Sequence, residues 1–242
     1  MENIIEYLDT GLDIVTVSNI GIKLLNLLES LHNKGILHCD LKPSNIGFGS
    51  FLNGKFINDN QIILLDYSYS TKYIFEKTQI DEKGNPVEIG KFHYLPNKFT
   101  KLSGTYSFMS DEILNGKCPS RKSELENFLY VLIYLFKGKL PWSDLYISSK
   151  ENKRNKILNI RNTLKIEELF QGMPNEFIFM FKSIKPLNFL SKPNYELFRT
   201  KLKQVILANK GTINTDFCFK NKIKQDITVI KKNEKKEIFR QN

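Results

Sequence analysis

Hydrophobic positions recur at helical spacing in the first patterned segment of the chain. Ile14, Val17, Ile20, Leu24, Leu25, Leu27, Leu28 and Leu31 form a broad apolar stripe, which predicts a helix over residues 14–32 that Gly35 can stop. Residues 36–49 lose that period, are rich in Pro, Ser, Asn and Gly, and read as a loop. Gln61-Ile62-Ile63-Leu64-Leu65 predicts a short buried strand ending at Asp66. Residues 67–103 are polar and irregular, with Gly84-Asn85-Pro86 as a turn signal, so a long loop is expected there. From Ser123 to Phe136 the chain is apolar nearly all round, which predicts a buried helix closed off by Pro141-Trp142. Residues 151–171 and 176–207 read as further amphipathic helices. From about Asn209 Lys and Asn dominate and a loosely held tail is expected.

Composition narrows the class. The 242 residues are 41% hydrophobic and 26% charged, ordinary globular usage that excludes collagen-like and wholly disordered chains. The longest unbroken apolar run, Phe128 to Phe136, is nine residues, too short to cross a bilayer, so no transmembrane segment is expected. The N-terminus lacks the basic flank and apolar stretch of a signal peptide. Cys39, Cys118 and Cys218 lie far apart with no CxxC pair, which fits a reducing, intracellular setting, cytoplasm or nucleus. The net charge of +10 is uneven: residues 1–114 hold 10 basic and 14 acidic side chains, and the excess belongs to the second half. A solvated Lys-rich surface explains it, and so does a field attracting acidic partners. No motif of a specific nucleic-acid reader accompanies it.

Chemistry concentrates in His38-Cys39-Asp40-Leu41-Lys42-Pro43-Ser44-Asn45. A carboxylate, a cation and an amide share one loop, and Asp66 ends an apolar strand 21 residues after Asn45. Phosphoryl transfer needs a carboxylate to orient an attacking hydroxyl, a cation to neutralise the transferred phosphoryl, and hard oxygen ligands for Mg²⁺. Asp40, Lys42, Asn45 and Asp66 supply a candidate for each role.

These residues resemble a protein kinase. The loop is similar to HRDxKxxN, and Asp66-Tyr67-Ser68 to DFG. Gly104-Thr105-Tyr106-Ser107-Phe108, Ser120-Arg121-Lys122-Ser123-Glu124-Leu125-Glu126, Gly138-Lys139-Leu140-Pro141-Trp142 and Lys192-Pro193-Asn194-Tyr195 resemble stretches of the casein kinase 1 family. The resemblance covers roughly Leu12 to Leu207. It implies transfer of the ATP γ-phosphate to Ser/Thr hydroxyls of a protein substrate. Asp40 is then the catalytic base, Lys42 the γ-phosphate contact, Asn45 and Asp66 the Mg²⁺ ligands, and His38 and Tyr67 a stacked pair.

The sequence also departs from the family. Cys39 replaces an Arg that grips a phosphorylated segment in many kinases, and Cys cannot form such a pair. Ser68 replaces a Gly, so a backbone needing positive φ there would be strained. Glu124 stands where the family has an Asp that accepts backbone N–H bonds from the catalytic loop, and its extra methylene is expected to shift the carboxylate. Gly47 replaces an apolar floor under adenine, and Ser107 an Arg that reads primed substrates. Only about a dozen residues precede the first helix, too few for the β-rich lobe that carries the Gly-rich loop and strand Lys. The expectation is therefore a mainly α fold, the C-terminal lobe alone with short β-hairpins near the catalytic and DFG-like loops. It is placed at residues 1–207, with a tail over 208–242. An exposed apolar face near Tyr67 and the first helix, available for association, is expected with it. Two functional readings stay open: a truncated casein kinase 1-like Ser/Thr kinase, inactive as an isolated chain, or a half-kinase acting as a scaffold or binding module.

Overall fold

The computed structural model describes residues 11–52, 55–83, 85–93, 104–145 and 149–213. Helix α1, Ile14–Asn33, starts where the Asp13 carboxylate accepts the Thr16 N–H at 2.9 Å. It stops at Gly35, which takes φ 75°. Its stripe of Val17, Ile20, Leu24, Leu25 and Leu28 is fully buried. α1 packs against α3, Arg121–Lys137, and α7, Tyr195–Ala208. Among the described residues α1 is also the one helix long and apolar enough to cross a membrane, and 56% of its most apolar stretch is buried inside the fold.

α3 is the central helix. Ser120 and Ser123 cap its start reciprocally, and Gly138 ends it in the left-handed region at φ 78°. Every residue from Lys122 to Ile133 is buried, including Glu124, Glu126 and Asn127. The expectation of a helix buried on all sides therefore holds. The short helices α2, Asp111–Leu114, and α5, Ile166–Leu169, join α4, Lys150–Thr163, and α6, Asn175–Ile184, around it. The long helix expected over 151–171 is divided because Leu164 turns extended (ψ 126°), and Gly172 (φ 83°) follows α5.

The expected mainly α lobe with short hairpins is corrected by six strands among the described residues, which lie there between residues 36 and 93. β1, Ile36–Leu37, pairs antiparallel with β4, Thr71–Lys72. β2, Ile46–Leu52, pairs with β3, Lys55–Leu64, in a long hairpin in which Gly47 faces Ile63. β5, Ile74–Ile80, pairs with β6, Pro86–His93. This last hairpin occupies the segment expected to be an irregular loop. The predicted turn closes it: the Asp81 side chain accepts the N–H groups of Lys83 and Asn85, at 2.9 and 2.8 Å. Of the apolar face expected near Tyr67 and the first helix, the Tyr67 part is exposed and the helix part is not. Leu65 and Tyr67 are 43% and 48% exposed, whereas the stripe of α1 is core. The tail expected over 208–242 lies outside the described residues beyond position 213.

Candidate active site

The site is assembled where β1 delivers the catalytic-type loop and β3 delivers Asp66. Asp40 is almost fully buried, yet its carboxylate is held from three directions. Lys42 Nζ sits 2.8 Å from Oδ2. Asn45 Nδ2 donates to the same oxygen at 3.2 Å and to the Asp40 carbonyl at 2.9 Å. The backbone N–H of Thr105 donates to Oδ1 at 2.8 Å. Close approach of the Thr105 segment requires Gly104 (φ 107°), since a Cβ there would stand 2.9 Å from the Cys39 carbonyl and 3.1 Å from Asp40 Oδ1. A short 3₁₀ turn, Pro43–Asn45, curls Asn45 back to face Asp40.

Asp66 reaches the same region through its neighbours. His38 Nε2 lies 3.1 Å from the Leu65 carbonyl, and the His38 and Tyr67 rings pack at 5.0 Å. Lys42 and His38 both act electrostatically on Asp66. The Ser68 side chain and backbone N–H both donate to Asp66 Oδ1. These two bonds, more than the nearby charges, hold the Asp66 carboxyl below the usual carboxylate range. Ser68 takes no positive φ, so the strain such a backbone would bring does not arise; Asp66 (φ 59°) and Cys39 (φ 66°) lie in the left-handed region. Asp tolerates that region, and the Ser68 bonds form the turn that fixes it.

Replacing Ser68 by Ala should raise the Asp66 pKa toward the ordinary value of about 3.9. Because the folded value is depressed, the stabilisation is present above the unfolded pKa and is lost as pH falls through the folded one. Carbon NMR titration of the Asp66 carboxyl checks this, and an unchanged titration would contradict it.

Behind the loop lies a buried network of which the linear motifs reveal only Glu124. Glu124 Oε1 accepts the Cys39 backbone N–H at 2.6 Å, and Oε2 lies 2.7 Å from His32 Nε2. His32 Nδ1 in turn lies 2.5 Å from the Tyr195 hydroxyl, whose proton is retained because burial pushes its pKa up. Tyr73 donates to the His32 carbonyl. With Glu124 as a carboxylate, His32 Nε2–H is the donor and Nδ1 accepts from Tyr195. The extra methylene of Glu124 therefore does not misplace its carboxylate, which braces the loop and anchors His32 together. Burial, and next the Glu124 charge, push the Cys39 thiol far up, so it stays protonated and a poor nucleophile. Glu124 is the one member of this network that the sequence points to; His32 and Tyr195 carry no sequence signal of it.

The geometry places a buried, oriented carboxylate with a paired cation beside a strand-terminal carboxylate. A match to the protein kinase domain family model runs over residues 2–205. The chain belongs to the protein kinase domain family. The match begins ahead of α1, and with the strand-rich first half it overturns the reading of this kinase chain as a C-terminal lobe only. The kinase chain is 34% identical over 196 residues to a probable casein kinase I homolog of Encephalitozoon cuniculi, covering 79% of this chain and 54% of that protein. It is 28% identical over 212 residues to casein kinase I homolog 2 of Schizosaccharomyces pombe, covering 88% of this chain and 45% of that one. It thus spans about half the length of the relatives it matches, and it is casein kinase 1-like.

The oxygen donors present suit Mg²⁺. Among the described residues no group of three or more His, Cys, Asp or Glu is placed to hold a metal alone. Mg²⁺ is ordinarily held by one or two carboxylates together with substrate phosphates. Asp66, with Oδ1 taken by Ser68 and Oδ2 left for a cation, fits that pattern, with Asn45 beside Asp40 as the second candidate.

Proposed function

We propose that this site transfers the γ-phosphate of ATP to serine and threonine hydroxyls of an intracellular protein substrate. The observation that carries the reading is the Asp40 carboxylate, buried but pinned by Lys42, Asn45 and the Thr105 N–H with Lys42 also acting on Asp66. Asp40 orients the incoming hydroxyl and accepts its proton. Lys42 turns its charge toward the transferred phosphoryl oxygens. Asn45 and Asp66 hold Mg²⁺, which neutralises phosphate charge when bound with ATP. Glu124 and Thr105 act earlier, fixing the loop before substrate arrives, so that little reorganisation remains at the moment of transfer. Ser107, in place of a basic side chain, argues against strong dependence on substrates already phosphorylated.

Calorimetric titration of the intact protein with ATP tests the metal assignment. Asp66→Asn should weaken ATP binding in Mg²⁺ by more than about tenfold and leave Mg²⁺-free binding little changed. Equal Mg²⁺-ATP affinity in both proteins would remove Asp66 from the role. A second reading, a non-catalytic scaffold, is favoured by Ser68, whose bonds occupy the oxygen Oδ1 of Asp66. Under that reading the intact protein transfers no phosphate from Mg²⁺-ATP to serine or threonine.

A further inference from the structure

We propose that Arg161 is a positioning residue for phosphoryl transfer, holding the segment that fixes the Asp40 carboxylate; this rests on the kinase function proposed above. Arg161 lies in α4, a helix in which Ile157 is the one buried apolar residue, yet the Arg161 side chain is only 3% exposed. Its guanidinium sits in the corner formed by the Tyr130 and Trp142 rings, which meet edge to face at 90°, with each centroid 4.1 Å away. The fork then donates in three directions. One terminal nitrogen donates to the Met109 carbonyl at 2.6 Å and to Asp111 Oδ1 at 3.0 Å, and the other to the Ser107 carbonyl at 3.0 Å. Trp142 Nε1–H adds a second donor to the Ser107 carbonyl at 2.7 Å.

Residues 105–109 are wound into two overlapping turns, Phe108 N–H to the Thr105 carbonyl and Met109 N–H to the Tyr106 carbonyl. The far end of this short rigid piece is the Thr105 N–H on Asp40 Oδ1. The segment is thus suspended between the reacting carboxylate and one buried guanidinium. A planar fork whose charge rests against two aromatic rings and whose nitrogens reach several acceptors is the side chain suited to that task. A lysine ammonium keeps the charge toward Asp111 but cannot stack in plane or span both carbonyls.

The test uses the intact protein, with kcat and KM for phosphate transfer to a Ser/Thr peptide and amide hydrogen exchange at Thr105 and Cys39. Arg161→Met keeps much of the apolar length and removes every donor. It should lower kcat about 10- to 100-fold and leave KM for ATP within about twofold. Exchange should speed up at Thr105 but not at Cys39, which Glu124 holds independently. Arg161→Lys should recover only part of the rate. A folded Arg161→Met protein with unchanged kcat and unchanged Thr105 exchange overturns the assignment. If Arg161→Met does not fold, Arg161→Lys decides: full kcat overturns the proposal, and a lowered kcat at constant KM for ATP supports it. An unmodified protein that transfers no phosphate would instead show the proposed function to be the part that fails.

Discussion

Replacing Asp40 by Asn should lower the rate of phosphate transfer about 10²- to 10⁴-fold, the range spanned by loss of a positioned general base. The variant keeps an acceptor for the Thr105 N–H, so the segment after Gly104 stays docked. It loses the proton acceptor and the ion pair with Lys42, whose ammonium then faces a neutral amide. ATP affinity should change little, because the nucleotide is assigned to Lys42, Asn45 and Asp66. Steady-state kinetics separate the two quantities: kcat falls while KM for ATP stays within a small factor. A variant that turns over at the wild-type rate would exclude Asp40 from the chemistry.

The largest stability effect is expected at Glu124. Glu124→Ala removes two acceptors from a fully buried position, leaving the Cys39 N–H and a His32 ring nitrogen without their partner and opening a cavity. Such a loss costs about 3–5 kcal/mol. Glu124→Gln should be far milder, about 1 kcal/mol. Its carbonyl oxygen still accepts from Cys39, and its amide can donate to His32 if the imidazole switches tautomer and donates to Tyr195 instead. Denaturant unfolding distinguishes these cases as a fall in midpoint at constant slope. An Ala variant losing under about 1 kcal/mol would mean that the network does not hold the catalytic loop.

The elements legible in the sequence are those whose signal is local. α1 and α3 announce themselves through apolar period, and the catalytic loop through Asp40, Lys42 and Asn45 at fixed spacing. The β5–β6 hairpin was missed although its turn was recognised, because its flanking stretches mix Glu, Lys, Thr and Gln with few apolar positions and show no clean alternation. Of the His32–Glu124–Tyr195 network the sequence shows only Glu124, for a different reason. Its members are 92 and 163 residues from His32, and only the packing of α1 against α3 and α7 brings them together. Arg161 reads as one more basic residue on a polar helix, and only the folded contacts, the Tyr130–Trp142 corner and the carbonyls of Ser107 and Met109, distinguish it. Ser68 takes no positive φ, so its replacing Gly brings no backbone strain there, which the motif alone does not encode.

In the proposed function Asp40 and Asp66 serve one phosphoryl-transfer site. The most direct measurement is incorporation of γ-labelled phosphate from Mg²⁺-ATP into casein by the intact protein, read as labelled serine and threonine, for the wild type and Asp40→Asn side by side. The predicted result is Mg²⁺-dependent label on those residues that disappears in the variant. Label that persists in Asp40→Asn, or none from the wild type at saturating Mg²⁺-ATP, would contradict it.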